Sequence, residues 1–140
     1  MTDPATIPPT AQFHPEALRG MALFDAHEYF EAHEALETAW RAESGPVRDL
    51  YHGILQVGVA YYHIQRGNYV GARKLFHRSR RWLDRLPAEY GGIDLTQFRE
   101  DAKRVETTLI RLGPDQTAEL DPGLMKPIPW KPAIHGGIPT

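Results

Sequence analysis

The segment HEALE, residues 33–37, holds the residue types that bind metal ions and move protons. It resembles the metal-binding motif H-E-x-x-H, but Glu37 stands where the second histidine of that motif lies. The motif uses both histidines as zinc ligands and its glutamate as the general base, so zinc-dependent proteolysis is not supported. Three interpretations remain: a metal site of another kind, a buried polar pair, or the solvent-exposed face of a helix.

A helical wheel separates the polar residues of this segment. At roughly 100° per residue from Leu36, His33 falls at about 60° and Glu37 at about 100°. Both angles lie on the predicted buried stripe, whereas Glu34 falls on its border and Glu31 points to solvent. An ionised carboxylate is costly to bury alone, so Glu37 needs a partner, and His33 is one turn away. The other members of the stripe are Tyr29, Trp40, Ala26, Phe30 and Ala32.

The next predicted helix, residues 46–66, is apolar on nearly every side, which is typical of a central helix. One polar seam interrupts it, because His52, His63 and Gln56 fall at about 160°, 180° and 200° from Ile54. A central helix has little reason to keep a solvent-facing stripe, so we expect the seam to face the preceding helix. The predicted inner polar cluster consists of His33, Glu37, Gln56 and His63, with His52 and Glu34 near its edge.

The remaining pattern predicts an all-α fold, a single-domain bundle of about five helices with antiparallel neighbours. The first helix begins near Pro15, and Asp25 with Glu28 resembles a capping box that would start the second. There is no alternating β-branched run and no Asn-Gly or Asp-Gly turn, so no strand is predicted. The third to fifth helices are expected at residues 46–66, 69–86 and 95–112.

Prolines divide the chain into three parts. We predict a loose N-terminal arm at residues 1–13, a helical bundle domain at 14–112 and an extended Pro-rich tail at 113–140. A disordered tail rarely holds many large apolar residues, so part of the tail is expected to pack on the domain. These tail residues are Leu124, Met125, Ile128, Trp130 and Ile134.

The runs YFEAHEALETAW and GILQVGVAYYHIQRGN, followed by Gly71-Ala72, carry a family resemblance. Over about residues 15–110 the chain resembles the bacterial and archaeal domain-of-unknown-function family 309. The resemblance implies an all-helical bundle and no particular activity. One departure is His27, where the family often has a glycine in the turn before the second helix. By position, the motif residues are Glu31, His33, Glu34, Glu37, Trp40, Gln56 and His63.

The polar cluster allows two main interpretations. It is a structural network that fixes helix packing, or it lines a pocket for a small ligand or partner, with His33, Glu37, Gln56, His63 and Trp40 as binding residues. An alternative is a divalent metal site for zinc, iron or manganese, with His33, Glu37 and His63 as ligands. In that case Glu34 or Glu37 is the candidate catalytic base of a hydrolytic reaction.

The fourth predicted helix has a strongly basic face that could bind phosphate groups or nucleic acid. A solvated outer face is the interpretation we favour, because the face lacks interleaved aromatic residues. The formal net charge of −2 also argues against a nucleic-acid partner for the whole chain. The basic residues are Arg73, Lys74, Arg78, Arg80, Arg81 and Arg85, against the single acid Asp84.

Composition limits the kinds of functional site that the protein can have. The absence of cysteine excludes disulfides, thiolate metal sites and a cysteine nucleophile. No segment approaches the roughly 20 apolar residues that span a bilayer, and residues 1–13 lack the pattern of a signal peptide, so we expect a cytoplasmic protein without a membrane partner. Candidates for a homo-oligomer interface are Tyr61, Tyr62 and Trp82.

Overall fold

The computed structural model describes residues 13–131, and the prediction of an all-α bundle is confirmed. The third to fifth helices begin at their predicted residues. The fifth also ends as predicted, whereas the third ends one residue and the fourth three residues earlier than predicted. Two short 3₁₀ helices, Pro114–Glu119 and Pro122–Leu124, follow the last α-helix. The α-helices are α1 (Pro15–Asp25), α2 (Tyr29–Ala42), α3 (Pro46–Gln65), α4 (Tyr69–Leu83) and α5 (Leu95–Leu112).

The expectation of no strand was wrong, because a small hairpin lies between α4 and α5. Strands β1 (Glu89–Tyr90) and β2 (Ile93–Asp94) pair antiparallel around Gly91 and Gly92, whose φ angles are 57° and 93°. Two-residue strands are too short to show an alternating pattern. A Gly-Gly turn is also a hairpin signal, because glycine adopts positive φ without steric cost.

Helix α3 is central: it packs against α2 on one side and α4 on the other, while α1 packs on α2. Glycines permit the close approaches. A Cβ at Gly53 would lie 2.5 Å from Leu83 Cδ2, and a Cβ at Gly20 would lie 2.7 Å from Leu36 Cγ. The apolar side of each helix therefore reaches one continuous core, which includes Tyr61. Because Tyr61 is fully buried, it does not belong to an exposed interface.

The predicted capping box at Asp25 and Glu28 does not form. Asp25 ends α1, and its Oδ1 accepts a hydrogen bond from the Ile128 amide at 2.7 Å. Helix α2 has no side-chain cap at Glu28. Asp25 bonds to Ile128 instead of capping α2, because residue 128 lies against this turn. A local sequence pattern does not reveal that contact.

The turn between α1 and α2 explains the departure at His27. His27 has a φ of 62°, in the left-handed region that glycine adopts freely and that histidine tolerates better than most residues. Its side chain compensates for this conformation, since Nε2 lies 2.9 Å from the Met125 carbonyl oxygen and the ring stacks on Tyr29.

The described part of the C-terminal segment, residues 113–131, lies across the bundle and buries Leu120, Met125 and Ile128. The Asp94 amide donates to the Pro129 carbonyl at 2.8 Å, which joins this segment to the hairpin. Phe13 is buried and contacts the rings of Tyr51, Tyr90 and Trp130.

The rest of the predicted arm, residues 1–12, and Ile134 of the tail lie outside the described residues. Among the helices of residues 13–131, none combines the length and apolar character that crossing a membrane requires.

Candidate ligand-binding cleft

His33 and Glu37 lie at the edge of the core rather than inside it. His33 Nε2 is 3.9 Å from Glu37 Oε2, and the two side chains remain 32% and 36% exposed. Glu37 also has Arg41 Nη2 at 3.4 Å from its Oε1. An ion pair this exposed contributes little to stability, because water and salt screen it.

The helical wheel misplaced this pair because the centre of the buried stripe was set on the wrong side. Phe30 was assigned to the stripe but is 49% exposed, and Ala26 is exposed as well. The buried residues of α2 centre at about 320° from Leu36, so His33 and Glu37 fall on the flank. The residues that define this stripe are Tyr29, Ala32, Ala35, Leu36 and Ala39.

His63 lies at the C-terminal end of α3 and supports the turn into α4. Its Nδ1 is 3.1 Å from Asn68 Nδ2, and Asn68 Oδ1 accepts the Gly71 amide at 2.9 Å as the cap of α4. Burial lowers the pKa of His63, and the nearby Arg66 lowers it further. Neutral Nδ1 is then the acceptor for the asparagine amide. A side chain on Gly71 would meet His63 Cγ at 2.9 Å, so the H-x-x-R-G-N-x-x-G run forms one compact turn.

The predicted inner cluster therefore does not form one hydrogen-bonded group within residues 13–131. His33 contacts Glu37, and His63 contacts Asn68. Over the same residues, no group of three or more His, Asp or Glu side chains is placed to hold a metal ion. The proposed ligand set of His33, Glu37 and His63 is not assembled, and Glu34, the alternative catalytic base, is exposed on the outer side of α2.

His52, placed at the cluster's edge by the sequence, instead lies between α2 and α4. Its ring stacks on Trp82 with centroids 4.3 Å apart and planes at 16°, and it contacts Trp40 at 5.0 Å. Arg48 Cζ lies 4.8 Å from the centroid of the Trp40 ring, which closes this side of the stack. Burial and the positive charge of Arg48 lower the pKa of His52, so its imidazole is neutral at pH 7.

His52 and Gln56 form a polar pair with one unsatisfied atom on each side. Their Nε2 atoms are 3.0 Å apart. Since His52 is neutral, the Gln56 amide donates to an unprotonated Nε2, and the imidazole proton lies on Nδ1. His52 Nδ1 and Gln56 Oε1 are buried and have no hydrogen-bond partner among the described protein groups. Buried polar atoms of this kind are rare and call for an explanation at the site where they occur.

A cleft of about 330 Å³ lies beside Gln56, between α3 and α4. We call it the Trp82 cleft; its lining residues are Gln56, His77, Arg78, Arg81 and Trp82. The last four lie one helical turn apart or adjacent on α4, so the helix presents them together. The cleft thus has an uncharged polar floor at Gln56, an aromatic wall at Trp82 and a cationic rim.

The opposite side of α4 faces a larger groove of about 600 Å³ beside α5. There two of the arginines of α4 share one acidic partner. The buried carboxylate of Glu106 lies 2.7 Å from Arg80 Nη1 and 3.8 Å from Arg73 Nε. Within residues 13–131, by contrast, neither Arg78 nor Arg81 forms an ion pair. On the α5 side, two arginines of α4 therefore share one carboxylate, whereas Arg78 and Arg81 have no ion-pair partner among the described residues.

Of the sequence-predicted binding residues, the structure places Gln56 in the cleft and Trp40 behind it, while His33, Glu37 and His63 lie elsewhere. Sequence reasoning did not name His77, and it named Trp82 only as a candidate for an oligomer interface. A signal for Trp82 was present: it directly follows Arg81, so the basic face of this helix does have an aromatic neighbour. Its stacking on His52 depends on the packing of α3 against α4 and is not visible in the sequence.

Residues 17–75 match the family model described as Domain of unknown function (DUF309). The match covers 59 of the 140 residues, so the chain is similar to this family over less than half of its length. The resemblance predicted from the motif residues is therefore confirmed, and the DUF309 segment contains Trp40, Gln56 and His63. It ends before His77, so α4 supplies its four cleft residues from outside the matched range.

A similar protein is the uncharacterized protein YpuF of Bacillus subtilis (strain 168). It is 42% identical over 68 residues, which are 48% of this chain. The match spans 37% of the length of YpuF, little more than a third. Neither the DUF309 description nor that of YpuF assigns an activity.

Proposed function

We propose that this protein binds a small phosphorylated molecule in the Trp82 cleft. The observation that carries the proposal is the pair Arg78 and Arg81, which line the cleft without an acidic partner among the described residues. Guanidinium groups bind phosphate through paired N–H donors, and their charge persists at every physiological pH.

The shape of the cleft favours a small molecule over a long polymer. Its volume of about 330 Å³ is at the lower end of the roughly 300–1,000 Å³ usual for ligand pockets. Trp82 is stacked on His52, and Arg85 Cζ lies 5.3 Å from its ring centroid. Since both groups contact the ring, Trp82 offers a wall rather than an open face for successive bases. This arrangement supports binding of a compact anion.

The structure also supports a preformed site. His52 is held between two tryptophans, and its hydrogen bond fixes the Gln56 amide on the floor of the cleft. Groups held by packing lose little entropy when a ligand binds, which raises affinity.

The test is calorimetric titration of the protein with propyl phosphate, a simple phosphate monoester. We expect saturable binding that weakens by about tenfold or more in an Arg78→Ala, Arg81→Ala double variant, because charge-assisted hydrogen bonds contribute about 1.5–3 kcal/mol each. The matched control is Lys74→Ala with Arg104→Ala, which removes the same charge from exposed positions outside both cavities.

An equal loss in both double variants would show only nonspecific attraction to positive charge and would overturn the proposal. So would the absence of binding to the native protein. A single-stranded oligonucleotide provides the comparison: if it binds the native protein while propyl phosphate does not, the nucleic-acid interpretation replaces this one.

A further inference from the structure

We infer that His77 accepts a phosphoryl group in the Trp82 cleft, so that a suitable phosphorylated ligand is a donor as well as a bound molecule. The inference rests on the proposed function, because the donor binds through its phosphate before it reacts. It adds a covalent step that phosphate binding alone does not include. The observation that carries it is an exposed imidazole without a protein partner, which lines the same cleft as Arg78 and Arg81.

His77 differs from the other histidines of residues 13–131 in its lack of a partner. A ring nitrogen of each of the other five takes part in a hydrogen bond or an ion pair. These five are His14 with the Glu16 amide, His27 with the Met125 carbonyl, His33 with Glu37, His52 with Gln56 and His63 with Asn68. Over the same residues, His77 has no such contact, and its side chain is exposed. Its ring nitrogens are therefore accessible to a ligand in the cleft.

The charges around His77 favour a phosphoryl group. Arg81 follows His77 by four residues, so the two side chains are neighbours on the surface of α4. Arg78 lines the same cleft, and among the described residues no carboxylate does. Guanidinium groups stabilise the charge that spreads over the phosphoryl oxygens during transfer, and they also pair with the phosphate group that results. The two arginines therefore stabilise both the transfer and its product.

The transfer is a nucleophilic substitution at phosphorus. A neutral imidazole has one unprotonated nitrogen, whose lone pair forms the new bond to phosphorus. The bond from phosphorus to the leaving group breaks, and its electron pair departs with that group. The donor must therefore have a good leaving group, such as the carboxylate of an acyl phosphate or the ammonia of phosphoramidate. Propyl phosphate has only an alkoxide to release, so it binds without reacting.

Incubation of the whole chain with phosphoramidate tests the inference. Mass spectrometry of peptides kept at alkaline pH locates the phosphoryl group, because the P–N bond of phosphohistidine hydrolyses in acid. We expect His77 to be phosphorylated about tenfold faster than His33. His33 is the internal control, since its side chain is 32% exposed but its Nε2 lies 3.9 Å from the Glu37 carboxylate.

The arginines are tested in the same reaction. In an Arg78→Ala, Arg81→Ala double variant, the rate at His77 should fall about tenfold, because the transferred group loses both cations. The matched control is Arg104→Ala with Arg111→Ala, which removes the same charge from exposed positions of α5 outside the cleft. This control should react at His77 as the native protein does.

Equal rates at His77 and His33, or no phosphorylation of His77, would overturn the inference. So would an equal loss of rate in the two double variants. Calorimetry with propyl phosphate separates this failure from that of the proposed function. Saturable binding of the ester without phosphorylation of His77 would leave phosphate binding standing, whereas the absence of both would overturn the two proposals together.

Discussion

At the scale of single residues, the polar side chains of the DUF309 motif lie in different parts of the fold and have different roles. His63 supports a turn, Gln56 lies on the floor of a cleft, and His33 sits at a half-exposed helix boundary. The sequence identified these residues as notable because polar side chains interrupt apolar helix faces. It did not separate their roles, because those depend on which neighbouring helix each side chain meets.

The environment of His52 predicts how the free energy of unfolding depends on pH. Because burial and Arg48 lower its pKa below the ordinary value of 6.5, the unfolded chain binds more protons than the folded one between the two pKa values. The free energy of unfolding should therefore rise with pH across this window and decline as the pH falls below about 6.5.

Urea denaturation at about pH 5.5 and about pH 7.5 measures this dependence, since the two conditions bracket the histidine range. A His52→Gln variant keeps a polar side chain but cannot titrate, so we expect a shallower slope than in the native protein. The same slope in both would contradict a neutral, desolvated His52.

At the scale of elements, helix positions were predictable because apolar residues repeat at helical spacing and Gly or Pro mark most boundaries. The end of α4 was predicted at residue 86 but lies at Leu83. There the Arg99 guanidinium donates to the carbonyl oxygens of Leu83 and Pro87 at 2.6 and 3.3 Å, which stabilises an early end. Such a partner from another helix is invisible to a local pattern.

The turn between α3 and α4 provides the element-scale prediction. Asn68 both caps α4 and donates to His63, so Asn68→Ala should lower the free energy of unfolding by about 1 kcal/mol. Asn68→Asp is the informative control. It keeps the oxygen that caps α4 but removes the NH₂ group that donates a hydrogen bond to His63. Asn68→Asp should lower the free energy of unfolding by less than Asn68→Ala does. Urea denaturation measures this free energy for both variants. No loss in Asn68→Ala would mean that this turn does not depend on the cap.

At the scale of the whole molecule, the C-terminal segment joins parts of the bundle that are distant in sequence. Asp25 binds the Ile128 amide, His27 contacts the Met125 carbonyl oxygen, and the Lys131 amide donates to the Gly92 carbonyl at 2.7 Å. The apolar residues of this segment predicted that part of it would pack on the helical domain. Its path was not predictable, because prolines give no period and the hydrogen-bond partners lie 35 to 103 residues away in the sequence.

The Trp82 cleft is also a property of the whole fold, because α2 and α3 position His52 and Gln56 while α4 brings Trp82 and two arginines to them. The central claim is that a phosphate monoester binds here and not in the groove where Glu106 already pairs with Arg80 and Arg73.

Nitrogen-15 NMR of the whole chain during titration with propyl phosphate tests this claim most directly. We predict saturable shifts of the Trp82 indole and Gln56 side-chain amide signals, with the distant Trp130 indole signal unchanged as the internal control. Shifts that follow Arg80, Lys103 and Thr107 along the α5 groove, or no saturable shift at Trp82 and Gln56, would contradict the account.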